Sequence, residues 1–310
     1  MKQNSTNTIT VSTADLARLV EKIAYSDGDF KTAIPALMAY RRSSATDPMP
    51  TVYGLGLALT VQGEKRATLG SEIFSYAPGQ SLVTSLDLPV IAHITDAKAS
   101  EPYLGLCLAL DAQVIAQVAA EINIPQSVAE HSPRALSVVA LDEGLLDAIT
   151  RLVNLLNEPD YIPQLAPLIQ REIAVRLLRG GHGATLRHLV TLGSNCQRIA
   201  KSVSWLKQNF IQNVSIDDLA EKAHMSPSTF RQHFKYVAGM SPLQYIKHLR
   251  LQEARQMMLN DNLDAGSAAL RVGYESASQF SREYSRLFGQ PPHRDMKTVK
   301  DTKIKPTFYF

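Results

Sequence analysis

The side chains best suited to chemistry gather in the stretch 226–239, SPSTFRQHFKYVAG. On a helix, Phe230, Phe234 and Val237 recur at i, i+4 and i+7 and share one apolar stripe. A turn of about 100° per residue leaves Ser228, Arg231, Gln232 and Lys235 on the other side, with Thr229 beside them. Arg and Gln can make paired hydrogen bonds to guanine and adenine edges, while Ser and Lys reach bases or phosphates. Taken alone, such a face is equally that of a solvated helix. The design recurs, however, in 276–289, where Phe280, Tyr284 and Leu287 form the stripe. There Ser278, Arg282 and Ser285 face away, with Gln279 and Arg286 on the flank. Two polar, basic helices of one design point to a surface built to read a DNA groove.

Neighbouring elements must hold those helices. Ser215 is placed to cap a preceding helix carrying Ile216, Leu219, Ala220 and Ala223 on its apolar side, with Asp218 near a capping-box position. Ser226 caps the first reading helix, and Pro227 sits where a helix tolerates proline. Ala220 and His224 correspond to Ala269 and Gly273 around the second turn. Between the units, SPLQYIKHLRLQEARQMML reads as one long helix capped by Ser241. If both reading helices enter successive major grooves on one DNA face, they lie about 34 Å apart.

The 310 residues imply two domains, and 45% hydrophobic with 20% charged residues is ordinary globular composition. Net charge is +3, unevenly divided. From Asn195 onward there are 17 Lys and Arg against 10 Asp and Glu, whereas the preceding part holds 15 against 19. A basic half beside an acidic one suits a nucleic-acid module joined to a module of another kind. No apolar run has transmembrane length and the N-terminus is polar, so the expectation is a cytoplasmic protein with no membrane partner and no signal peptide. Cys107 and Cys196 are far apart and form no metal-type cluster.

Residues 13–24 read as a short amphipathic helix. Residues 34–110 alternate short apolar runs with turns such as QGEK and APGQ, the pattern of a small antiparallel barrel or sandwich. VIAQVAAEI, EGLLDAITRLVNLL and PQLAPLIQREIAVRLLRG then read as three helices, and GGHG at 180–183 as a break. The helix over 160–179 carries enough further apolar residues, among them Ala166, Leu168, Val175 and Leu178, to pair two chains as a homodimer.

The first half lacks the marks of an enzyme. His93 is the one histidine in residues 1–130, and there is no nucleophile motif, phosphate loop or HExxH. Catalytic residues, metal ligands and cofactors are therefore expected to be none. Binding is the better expectation. Arg41 and Arg42 end one strand, and Lys65 and Arg66 follow a turn on another. Brought together, four cations would form a mouth for an anionic effector, although two solvated turns would read the same. Tyr53, Tyr76 and Tyr103 fit either a pocket or a core, and Cys107 lies in an apolar strand with nothing to activate it.

The segment 195–294, through LAEKAHMSPSTFRQHFKYVAGMSPLQYIKHLRLQEARQMML and AALRVGYESASQFSREYSRLFGQPPHR, resembles the DNA-binding domain of the AraC/XylS family of transcription regulators. The resemblance implies seven helices with two helix-turn-helix motifs, and base-reading positions at Ser228, Arg231 and Gln232 and at Ser278, Gln279 and Arg282. His224 departs from the small residue usual at the first turn. Gly266 weakens a helix start, which predicts a less rigid second motif. The stretch from TAIPALMAYRR through VYGLGLALTVQGEKRATLG to PYLGLCLALD resembles the sensor domain of a subgroup of AraC-type regulators. The implied fold class is α+β: a cupin-like β-barrel with following helices, then an all-α domain with two helix-turn-helix motifs. The expected division is 1–185 for effector binding and dimerisation, 186–194 as linker, 195–295 for DNA binding and 296–310 as a basic tail. The implied partners are double-stranded promoter or operator DNA, a small-molecule effector, a second copy of the chain and, for an activator, RNA polymerase. The competing readings are a cupin-like enzyme or ligand-storage module fused to a DNA-binding domain, and a constitutive regulator with a purely structural first domain.

Overall fold

Helix α1 (Thr13–Ile23) is set by its cap: Ser12 accepts from Asp15 N, and the Asp15 side chain returns the bond to Ser12 N at 3.0 Å. The structure is a computed structural model that describes residues 12–122, 134–191 and 193–302. Nine strands follow α1: β1 (Gly28–Lys31), β2 (Leu37–Arg42), β3 (Met49–Tyr53), β4 (Gly56–Gln62), β5 (Glu64–Leu69), β6 (Glu72–Tyr76), β7 (Gln80–Thr84), β8 (Leu88–Asp96) and β9 (Tyr103–Ala109). Next come α2 (Ala112–Glu121), β10 (Leu136–Ala140), α3 (Glu143–Asn154), α4 (Ile162–Arg179) and α5 (Gly183–Val190).

The strands form two antiparallel sheets, ordered β1-β2-β9-β4-β7-β10 and β3-β8-β5-β6. Strand β4 lies between β9 and β7, and both its faces are largely buried. One face packs under the helices, where Leu57, Leu59 and Val61 join Leu16, Val20, Ile149, Leu152 and Leu177 in one core. Strand β5 alternates strictly, with Lys65, Ala67 and Leu69 buried and the residues between them half-buried, as a one-sided strand requires.

The remainder is helical: α6 (Asn195–Asn209), α7 (Ile216–Lys222), α8 (Pro227–Ala238), α9 (Pro242–Asn260), α10 (Ala265–Arg271), α11 (Ala277–Phe288) and α12 (Pro292–Thr302). These seven helices, after a β-rich first part, bear out the expected α+β fold.

Four local readings change. Strand β10 lies where only helices were expected; it pairs with β7 from Leu136↔Thr84 to Ala140↔Gln80. The stretch read as a linker begins inside α5, and Leu186 is fully buried there. The glycine-rich break before it is pinned. His182 is 1% exposed, with Nε2 at 2.9 Å from Ser81 Oγ and Nδ1 at 2.8 Å from Ser137 Oγ, so it ties α4 and α5 to β7 and β10. Burial lowers the His182 pKa to about 4, which keeps the ring neutral. The first part of the expected tail, 296–302, belongs to α12, and 303–310 lie outside the described residues.

Candidate nucleic-acid interface

Each reading helix is built the same way. Ser215 caps α7 by accepting from Asp218 N at 3.2 Å, and Ser226 caps α8 by accepting from Thr229 N at 3.3 Å. On the inner face Phe230 and Phe234 are fully buried with ring centres 5.6 Å apart, and Tyr245 of α9 meets Phe234 edge-on at 5.6 Å. In the second motif Asp264 caps α10, accepting from Gly266 N at 2.9 Å and Ser267 N at 3.0 Å. Those bonds hold the Asp264 carboxyl below the usual range, the Ser267 side chain contributing most. The cap bonds Gly266 at the second helical position, near the helix end rather than in the interior. Ser276 caps α11, and Phe280 and Tyr284 fill its core with ring centres 5.5 Å apart.

Outward, Ser228, Arg231, Gln232 and Lys235 of α8 are exposed and Thr229 is half-buried. On α11, Ser278, Gln279, Arg282 and Arg286 are exposed, while Ser285 is half-buried and donates to Ser281 O at 2.7 Å. Both polar faces are therefore open to a ligand. Arg231 reaches Asp217 at 3.0 Å, but both side chains are more than half exposed, so the pair is worth well under about 1 kcal/mol and yields readily to a stronger partner. Gln279 bonds Glu283 at 3.3 Å, and Glu283 is itself held by Lys247 at 2.7 Å and Tyr274 at 2.8 Å.

The two turns solve one geometric demand differently. Gly273 has φ 86°, and a Cβ there would come within 2.7 Å of Ile211 O, so glycine is needed twice over. His224 takes the same left-handed region at φ 52° and is exposed, which lets a side chain stand there at the price of backbone strain.

Helix α9 fixes the spacing. Its 19 residues run roughly 28 Å at 1.5 Å per residue, and a Ser241–Gln244 capping box starts it. Two of its arginines carry structural roles absent from the sequence reading. Arg250 donates to Phe210 O at 2.7 Å, Gln212 O at 2.9 Å and Gly273 O at 3.1 Å, joining both motifs. Arg255 makes a two-pronged pair with Asp295 of α12 at 2.6 and 2.9 Å, and Tyr284 and Gln290 also donate to that carboxylate. Burial pushes the Asp295 carboxyl up, but the Arg255 bonds outweigh it and hold the group below the usual range. Both partners lie far apart in the chain, so no local pattern announces them.

In the first half, the four expected effector cations do not converge. Neighbouring strand residues point to opposite faces, so Lys65 turns inward and Arg66 outward. Arg66 bonds Ser75 at 3.2 Å, Arg41 approaches Glu21 at 3.4 Å, and Arg42 pairs with Asp29 at 2.6 Å. Lys65 is 5% exposed, with its ammonium 5.5 Å from the Tyr53 ring centre and 6.0 Å from that of Tyr103. It lines a small cavity with Tyr53, Tyr76, Thr84 and Cys107, whose ≈ 10 Å³ has room for about one water. Burial pushes the Cys107 thiol up to about 12, partly offset by Lys65, so it is an inert lining group. Tyr53, Tyr76 and Tyr103, which fitted either a pocket or a core, are all buried here. Among the described residues no group of three His, Cys, Asp or Glu is arranged to hold a metal, and no helix is long and apolar enough to cross a membrane.

Residues 33–185 match the family described as AraC-type transcriptional regulator N-terminus, and residues 219–298 match a helix-turn-helix domain family. The virulence regulon transcriptional activator VirF of Yersinia enterocolitica is 28% identical over 180 residues, 57% of this chain and 63% of that protein. The transcriptional activator RhaS of Escherichia coli (strain SE11) is 25% identical over 162 residues, 52% of this chain and 57% of RhaS. The chain thus spans less than two thirds of the length of these curated relatives. Among solved structures, a single-substitution variant of apo ToxT from Vibrio cholerae strain SCE256 superposes with a TM-score of 0.57 at 9% identity, covering 84% of this chain and 97% of that one. Wild-type ToxT bound to an unsaturated fatty acid gives 0.56 at 10% identity over 84% and 94%. At that identity the likeness is one of fold.

Proposed function

This chain belongs to the AraC family of transcriptional regulators, and we propose that it binds an operator in double-stranded DNA through α8 and α11 under control of a small-molecule effector. The observation that carries this reading is the pair of open polar faces, Ser228–Arg231–Gln232–Lys235 and Ser278–Gln279–Arg282–Arg286, on helices of one design. Phosphate contacts from Lys and Arg supply most of the affinity, and Gln232, Arg231, Gln279 and Arg282 supply base readout. The barrel serves as the regulatory half. The structure of ToxT with a fatty acid supports an effector in this fold, and Lys65 with its tyrosines is the polar centre around which the small cavity would open. On this reading the protein is not an enzyme, needs no cofactor and works in the cytoplasm. Two copies pair through α4, where Leu168 is 63% exposed beside Leu165 and the preceding Tyr161; Ala166 and Leu178, expected on that face, are buried in the chain's own core instead. RNA polymerase is a partner if the regulator activates.

The test is selection of a binding site from a random duplex library, followed by anisotropy titration against the selected duplex and a scrambled one. The reading requires at least a roughly 10³-fold preference for the selected site. Equal affinity for both duplexes would reduce the protein to a non-specific binder.

A further inference from the structure

The barrel and the first motif share one core. Ala67, Leu69 and Tyr76 of the β5–β6 hairpin lie in the same buried cluster as Phe230, Phe234, Val237 and Met240. Contact is closest at the hairpin tip. Gly239, the C-cap of α8, has φ 72°, and a Cβ on it would stand 2.6 Å from Leu69 Cγ. A Cβ on Gly70 would collide with the Gly239 carbonyl oxygen. Bare backbone therefore meets bare backbone where the first reading helix ends.

Further bonds brace this junction. Arg134 pairs with Glu72 of the hairpin and lies 5.8 Å from the ring centre of Tyr236 on α8. Tyr245 Oη donates to Asp87 O at 2.7 Å, Lys207 pairs with the Asp87 side chain at 2.9 Å, and Val237 O accepts from Ala135 N at 3.4 Å. The second motif has a core of its own, from Leu251 to Tyr284, with no barrel residue in it, although α11 also lies against β3.

The base of the same hairpin is the cavity wall. Lys65 and Tyr76 are cross-strand partners, and both line the cavity. Lys65, Ala67 and Leu69 share one face of β5, so a stiff span of about 13 Å runs from the cavity to Gly239. We propose that the β5–β6 hairpin is a strap that transmits changes at the cavity to the C-terminal end of α8, and so sets the pose of the first reading helix relative to the second. This rests on the barrel being the regulatory half and names the route by which it acts.

Amide hydrogen exchange on the full chain, without DNA or effector, tests it. Lys65→Met keeps the bulk of the side chain and removes its charge; Tyr76→Phe is the milder second variant at the same cavity. The strap predicts that one or both change exchange in peptides spanning 236–245 by about threefold or more, while those of α10 stay unchanged. In a Leu69→Ala background the same changes should leave 236–245 unaffected. If neither variant alters 236–245, or if the effect survives Leu69→Ala, the strap is wrong. Selection of a DNA site is read out separately, so failure of the strap leaves the regulator reading standing and the reverse holds too.

Discussion

Replacing Asp295 by Asn would show how the second reading helix is held. The Arg255–Asp295 pair lies at 2.6 and 2.9 Å, with the two side chains only 6% and 4% exposed. Asparagine keeps the shape but leaves the Arg255 guanidinium buried without its counter-charge. Breaking a buried pair in this way costs about 3–5 kcal/mol, since the remaining charge has lost both water and partner. The loss should fall on α11 and α12, because Tyr284 and Gln290 bind the same carboxylate. Trp205, the one tryptophan of the chain, sits on α6 and reports the first motif only. Amide exchange is therefore the assay. Exchange in α11 should accelerate roughly 10²–10⁴-fold, as 1.36 kcal/mol corresponds to tenfold. Exchange in α8 should change far less. Arg255→Met with Asp295→Leu removes both charges together and should restore most of the protection. Acceleration of less than tenfold, or a double variant as loose as the single one, would refute the claim that this pair holds the motif.

Other outcomes follow from the same reasoning. His182 has a folded pKa of about 4 against about 6.5 unfolded, so between those values the unfolded chain binds more protons. Stability should then fall as pH drops from 6.5 towards 4, by about 3 kcal/mol from this residue. The melting temperature of His182→Gln should depend less steeply on pH across that window, and an unchanged slope would count against a buried neutral ring. Lys235→Ala should weaken binding to selected and scrambled duplexes alike and reduce the slope of log affinity against log salt by about 0.9; an effect confined to one sequence would make Lys235 a base reader.

Much of the helix-turn-helix half was legible because its signals are local. Ser215, Ser226 and Ser241 each stand one residue before a helix, and each makes the capping bond that its position promised. The stripe of Phe280 and Tyr284 repeats that of Phe230 and Phe234, and all four are buried. What escaped depends on distant partners. Arg255 meets a residue 40 positions away, and His182 meets Ser81 across 101 positions, so a glycine-rich stretch read as a break is anchored at its centre. Strand β10 is not legible because its five residues lie between helical patterns and pair with β7, far upstream. Of the two readings of the four cations, that of two solvated turns suits the strands better, as alternation sends Lys65 and Arg66 to opposite faces.

The central claim, two base-reading helices held one DNA turn apart, is tested most directly by hydroxyl-radical footprinting and titration on the selected site. Wild type should protect two patches about 10 base pairs apart on one face of the duplex. Gln232→Ala and Arg282→Ala should each cost about 1–3 kcal/mol and relax base preference in one patch only, a different patch for each. A single protected patch, or full affinity and unchanged preference in both variants, would contradict it.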